Sequence, residues 1–258
     1  MTGRDLSLDP SISAMLRSYR LESMRSRNEV PSWDLSLVLS ILSKAPFEPI
    51  KSINMKELTF KTVFLLALAT GMRRSELHAL TRKGLSWSSD KSKITLRVSP
   101  TFVAKTQLVC GSGSIQPISL CSLNDFVGDL PDEYYYKRVK SEGLSLDKDK
   151  LFVSYRPGYK SEIALPTISS WIKKTIVLAY QLANNEDLNL AKVKAHQVRS
   201  VATSSAFYSS VPLEQILLAG TWRTHNTFSS FYLKNLTESS SKGYRLGPIV
   251  AAQSVIRL

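Results

Sequence analysis

Cysteine is scarce: two residues in 258, Cys110 and Cys121. Their spacing fits neither a zinc motif nor a disulfide framework, which points to a reducing compartment. No apolar run reaches membrane-spanning length; TVFLLALATG is too short and passes straight into RRSE. The opening MTGRDLSLDPSISAML carries charges and no continuous apolar stretch, which argues against a secretory signal. There is no GxxxxGK loop, no carboxylate-rich metal motif and no internal repeat. Acidic residues are also few: 21 Asp and Glu against 34 Lys and Arg, a formal net charge of +13. Such a surplus suits a polyanionic partner, because basic side chains release counterions from a phosphate backbone. A merely soluble basic protein would share this composition.

What is present is enough for a core: 43% of residues are hydrophobic, and the length fits one large domain or a main domain with a small appendage. Residues 1–30 are mixed and charged and read as a linker. Pro31 and Ser32 open a helix with Leu35, Val38, Leu39 and Leu42 on one face and Ser32 as N-cap. LTFKTVFLLALATG is apolar on nearly every face, as a buried central helix would be, and Gly71 ends it. RRSELHALT is the next helix. From Lys93 the period changes to alternation at Ile94, Leu96 and Val98; TFVAKTQLV and IQPISL follow, giving a small antiparallel sheet. Helices return near Thr167, at HQVRSVATSSAFYSS, and at PLEQILLAG with Gly220 as the stop. The expected class is mostly α with a small antiparallel β-sheet (α+β). Residues 31–235 form the main domain, and the Ser-rich link and apolar end form a tail over 236–258.

Four motifs could carry chemistry. In HQVR, His196 and Arg199 lie three apart on one helix face; Arg199 offers a permanently charged fork for phosphate, and a neutral His196 could accept or pass a proton. An ordinary solvated His and Arg would look the same. In ATGMRRSELHAL, the stop at Gly71 throws Arg73 to the start of the next helix, with Glu76 on the same face to hold its guanidinium. A structural Arg–Glu pair is equally consistent with that spacing. Lys105, in FVAKTQ, sits at an apparent hairpin, where lysines often serve only solubility. In LAGTWRTHNTFSSFY, Trp222 offers an indole N–H and Tyr232 a phenol, with Phe228 and Phe231 as packing anchors.

TGMRRSEL, KT, HQVR, GTW and FY, in that order, resemble the tyrosine recombinase/phage integrase family. The wording of VPSWDLSLVLSIL, FKTVFLLALATGMRRSELHAL and TFSSFYL looks closer still to recombinases of DIRS/Ngaro-type retrotransposons or Cryptons, over about residues 30–255. The resemblance implies the family's catalytic-domain fold and DNA strand cleavage and rejoining through a 3′-phosphotyrosyl link, without cofactor or metal. It assigns Arg73 and Lys105 as the first arginine and the hairpin lysine, and His196 and Arg199 as the HxxR pair. Trp222 takes a position that is His in many members and Trp in Cre-like ones, and Tyr232 is the nucleophile. The gap from Trp222 to Tyr232 is one residue longer than the bacterial pattern, so strict spacing would place Phe231 there; a phenyl ring cannot attack phosphorus, and Tyr232 is preferred.

Arg74, Lys160, Lys194 and Arg223 are candidate DNA contacts. The implied partners are double-stranded DNA and further copies of the chain, dimer to tetramer on DNA, with no membrane; the implied compartment is the nucleus, otherwise the cytoplasm. In the family a helical core-binding domain precedes the catalytic one, and residues 1–30 would be its remnant. Residues after the nucleophile often pack into a neighbouring protomer, and the tail here could do so or fold back. Three rivals stand beside this reading: a DNA-binding protein that keeps the fold without catalysis, a type IB topoisomerase-like relaxing enzyme, and an RNA-binding or scaffold protein. The last lacks the expected aromatic-basic RNA motifs.

Overall fold

The computed structural model describes residues 32–90, 93–103, 117–121, 135, 137–139, 149–156, 162–189, 192–220, 222 and 225–234. The first helix, α1, spans Leu35–Leu42 and buries Leu35, Val38 and Leu42 along one face. Asp34, not Ser32, caps it: the Asp34 carboxylate accepts the N–H groups of Ser36 and Leu37 at 2.7 and 3.4 Å. The Ser32 hydroxyl lies 3.1 Å from Gln197 Oε1, committed to a distant segment instead.

Helix α2, Met55–Thr70, is the centre of the domain. Asn54 caps its start, and the helix is buried almost all round. Two ionisable side chains are buried with it. Lys61 bonds Glu48 and the Phe47 carbonyl, which holds its charge away from water without leaving it unpaired. Glu57 stands 3.6 Å from Lys56. Gly71 ends α2 in the left-handed region at φ 61°, a conformation an L side chain rarely adopts. Helix α3, Arg74–Ala79, starts three residues later.

A three-stranded antiparallel sheet follows: β1 Ser86–Trp87, β2 Lys93–Leu96 and β3 Ile118–Cys121, in that spatial order. Ile94 pairs with Trp87 on one side and Leu120 on the other. Ile94 and Leu96 point into the core while Lys93 is exposed, as the alternation requires.

Helix α4, Leu165–Leu182, packs on α1, α2 and α3. It starts two residues before Thr167, because Pro166 fits the first helical turn, where its missing N–H costs nothing. The Tyr180 hydroxyl accepts the Asp34 N–H at 2.7 Å, joining α4 to the head of α1. Helices α5, Gln197–Tyr208, α6, Leu213–Ala219, and α7, His225–Phe231, complete the order. Helix α5 lies on α2, α6 on α5, and α7 on α6. Among the described residues, no helix is long and apolar enough to cross a membrane.

Candidate active site

The turn at Gly71 delivers Arg73 to the N-cap position of α3. One turn on, Glu76 reaches back with both oxygens: Oε2 accepts the Arg73 backbone N–H at 2.7 Å, and Oε1 accepts from Arg73 Nη1 at 2.8 Å. This satisfies an N–H at the helix start and fixes the Arg73 side chain in one step. Glu76 is only 3% exposed, and its Oε2 also stands 4.0 Å from Arg199 Nη1. One buried carboxylate therefore lies between two guanidinium groups. Its single charge is shared between two guanidinium groups, an arrangement that favours an anion beside them.

Arg199 is 4% exposed, so it is no solvated helix residue. Its Nη2 donates to the Gly220 carbonyl at the end of α6. Its Cζ lies 4.4 Å from the Trp222 ring centroid and 5.2 Å from that of Tyr232. Burial and the nearby positive charge of Arg73 pull its pKa down to about 10, against the opposing pull of Glu76 and Tyr232. It remains a cation at neutral pH. Arg199 Nε and Nη1 and Trp222 Nε1 are buried donors with no acceptor among the described residues. Leaving such donors unmatched is costly, and an acceptor bound here would satisfy them.

Tyr232 follows α7, its N–H donating to the Phe228 carbonyl at 2.8 Å. Its ring stands 4.4 Å from that of Trp222, centroid to centroid, and Trp222 is 5.4 Å from Phe228, which is fully buried. Phe228 is thus the anchor that holds the aromatic row. Phe231 ends α7; its side chain is outside the described set.

No protein-family model matches the chain, and no curated protein does. Solved structures do. The XerH site-specific recombinase bound to difH substrate in a pre-cleavage complex superposes with a TM-score of 0.54 at 16% identity, over 80% of this chain and 51% of that one. The XerH post-cleavage complex with a palindromic difH substrate gives 0.53 at 15% identity, over 81% and 50%. The chain spans about half the length of the XerH chains it matches. This is the tyrosine recombinase catalytic fold.

Within the recombinase fold, Arg73, Glu76, Arg199, Trp222 and Tyr232 share one locus, though their segments are far apart in the chain. His196 takes the N-cap position of α5 and is exposed, with exposed Lys194 two residues before it. Partial desolvation, then the charges of Lys194 and Lys234, hold its pKa below the ordinary imidazole value. Arg74 is exposed beside Arg73. Lys105, Lys160 and Arg223 lie outside the described residues. Among the described residues, no group of three or more His, Cys, Asp or Glu side chains is placed to hold a metal ion.

Three neighbours of these residues were not singled out from sequence: Gly220, whose carbonyl holds Arg199; Ser204, whose hydroxyl bonds the Tyr232 carbonyl; and Lys234, whose N–H bonds Ser204. Gly220 carried a signal, since LAG directly before TW placed its backbone beside a large ring, but it read only as a helix stop.

Proposed function

We propose that this chain is a tyrosine recombinase catalytic domain that cuts and rejoins duplex DNA through a 3′-phosphotyrosyl intermediate. The observation that carries this is the buried Arg73–Glu76–Arg199 cluster, its unmatched donors lying against the Tyr232 ring. Arg73, Arg199 and the Trp222 indole N–H would hold the non-bridging oxygens of one phosphodiester, where charge grows in the transition state. The Tyr232 oxygen attacks phosphorus as its proton passes to His196; the bond to the 5′ oxygen breaks, and that oxygen takes a proton, for which the family resemblance supplies Lys105. One ester replaces another, so a returning 5′ hydroxyl can reseal the strand without ATP. Arg74 and Lys194, with Lys160 and Arg223 from the sequence, would contact flanking phosphates. Exchange between two duplexes needs one nucleophile per cut strand, which supports assembly of two to four copies on DNA. The motif wording favours a DIRS/Ngaro or Crypton type of mobile element as the source, and nuclear action with it.

The test uses a pool of end-labelled nicked duplexes of randomised sequence, in which the short cleaved strand diffuses away. Labelled protein that survives denaturation, with the label mapped to the peptide containing Tyr232, is the expected result. Label on any other residue, or retarded DNA with no adduct, overturns the reading; the latter is the behaviour of a non-catalytic DNA binder.

The pH profile follows from His196. Its folded pKa is depressed, so the neutral, proton-accepting form persists as pH falls through 6.5. The second-order cleavage rate at subsaturating DNA reports the free enzyme. It is expected to retain more than half of its plateau at pH 6.5 and to fall through the half-way point only in more acidic buffer. A half-maximum at or above 6.5 contradicts the assignment.

A further inference from the structure

We propose that Ser204 is a positioning residue for the Tyr232 nucleophile, tying the turn that carries it to the helix that carries Arg199; the role rests on the recombinase reading above. Ser204 lies on α5 and is 0% exposed. Its hydroxyl donates to the Tyr232 carbonyl at 3.0 Å, and the same oxygen accepts the Lys234 N–H at 2.8 Å. One side chain therefore grips the backbone on both sides of Leu233. A hydroxyl is needed for this, since it is at once donor and acceptor.

The direction of the bond is informative. Ser and Thr inside helices commonly turn back to the carbonyl four residues earlier. Thr59, Thr70 and Thr203 do so here, to Met55, Leu66 and Arg199. Ser204 instead faces out of its own helix to another segment. The end of α7 needs that partner. The N–H groups of Tyr232 and Leu233 both return to the Phe228 carbonyl, at 2.8 and 3.0 Å, which closes the turn on its inner side only. On the outer side the backbone passes to Ser204.

The consequence concerns attack geometry. Arg199 is held by the Gly220 carbonyl and stands on the same rigid helix as Ser204. Helix α5 thus sets both the phosphate grip and the place from which the phenol approaches it. Misplacement of a reacting group by about 1 Å is enough to cost about 100-fold in rate. The clamp also sets the backbone of Lys234, whose charge acts on His196.

The experiment compares the full chain with Ser204→Ala in single-turnover adduct formation on the randomised nicked duplexes. The maximal rate is expected to fall about 10- to 100-fold. The DNA concentration giving half-maximal rate should stay within about twofold, because the phosphate grip is untouched. A maximal rate equal to wild type, or a loss confined to half-saturation, overturns the proposal. Amide hydrogen exchange on the wild-type chain decides the matter even where the variant fails to fold. The Lys234 N–H should be protected, and exchange at the rate of a free amide refutes the clamp. Wild type without any adduct removes the recombinase reading and this role together. Wild-type adduct on Tyr232 matched by Ser204→Ala removes this role alone.

Discussion

Gly220→Ala is expected to cut phosphotyrosyl formation by about 100-fold or more, although Gly220 has no reacting group. Its backbone is ordinary, with φ −77°, so the demand for glycine is one of space. A Cβ at this position would lie 2.1 Å from two atoms of the Trp222 indole, well inside contact distance. The indole would have to move, and it cannot move alone. Arg199 and Tyr232 each stand 4.4 Å from it, and Phe228 backs it at 5.4 Å. The Gly220 carbonyl also carries Arg199 Nη2, so one added methyl disturbs the grip, the indole donor and the nucleophile's packing together. Overpacking of this kind costs about 1–3 kcal/mol in stability, leaving a folded protein in which the rate loss can be read. Adduct formation at the wild-type rate would show that the Trp222 position does not matter to the chemistry.

Glu76→Ala should be the more damaging change to stability, by about 3–5 kcal/mol in urea unfolding. The carboxylate is buried at 3% exposure and serves two guanidinium groups and a backbone N–H. Without it, buried Arg199 faces the like charge of Arg73 and loses the carboxylate beside it. Glu76→Gln keeps the shape and one acceptor oxygen, and should lose clearly less. The sign of the local charge supplies a second check. Sulfate, as a mimic of the DNA phosphate, should stabilise Glu76→Ala more than wild type, because it binds the folded state where the carboxylate has gone. Equal stability of Glu76→Ala and wild type would mean that the two arginines are not held in one charged cluster.

The parts of this molecule that were legible in the sequence are those with a local cause. Gly71 needs a positive φ, the apolar run before it needs burial on every side, and Ile94 and Leu96 alternate with polar neighbours. Each of these is written in a few adjacent residues. The cap of α1 was misread because Ser32 and Asp34 are both good caps; only the pull of Gln197 on Ser32, across the fold, decides between them. Strand β1 has two residues and therefore no period to detect. In the site, the three-residue spacing of Arg73 and Glu76 suggested their contact. The depth of Arg199 could not be read, because a charged residue on a short polar-looking helix resembles a solvated one until its neighbours are known. Ser204 is one hydroxyl in ATSSAFYSS, and nothing local marks which of those serines turns outward.

The order of synthesis follows from the placing of these groups along the chain. A ribosome that has finished α5 has made both guanidinium groups and the carboxylate between them, but not yet Trp222 or the phenol that would oppose them. On the reading advanced here, a prematurely released copy of that length could bind a phosphate and could not sever a strand. On the same reading, cutting ability would arrive only once Tyr232, just after the last of the described helices, has been made.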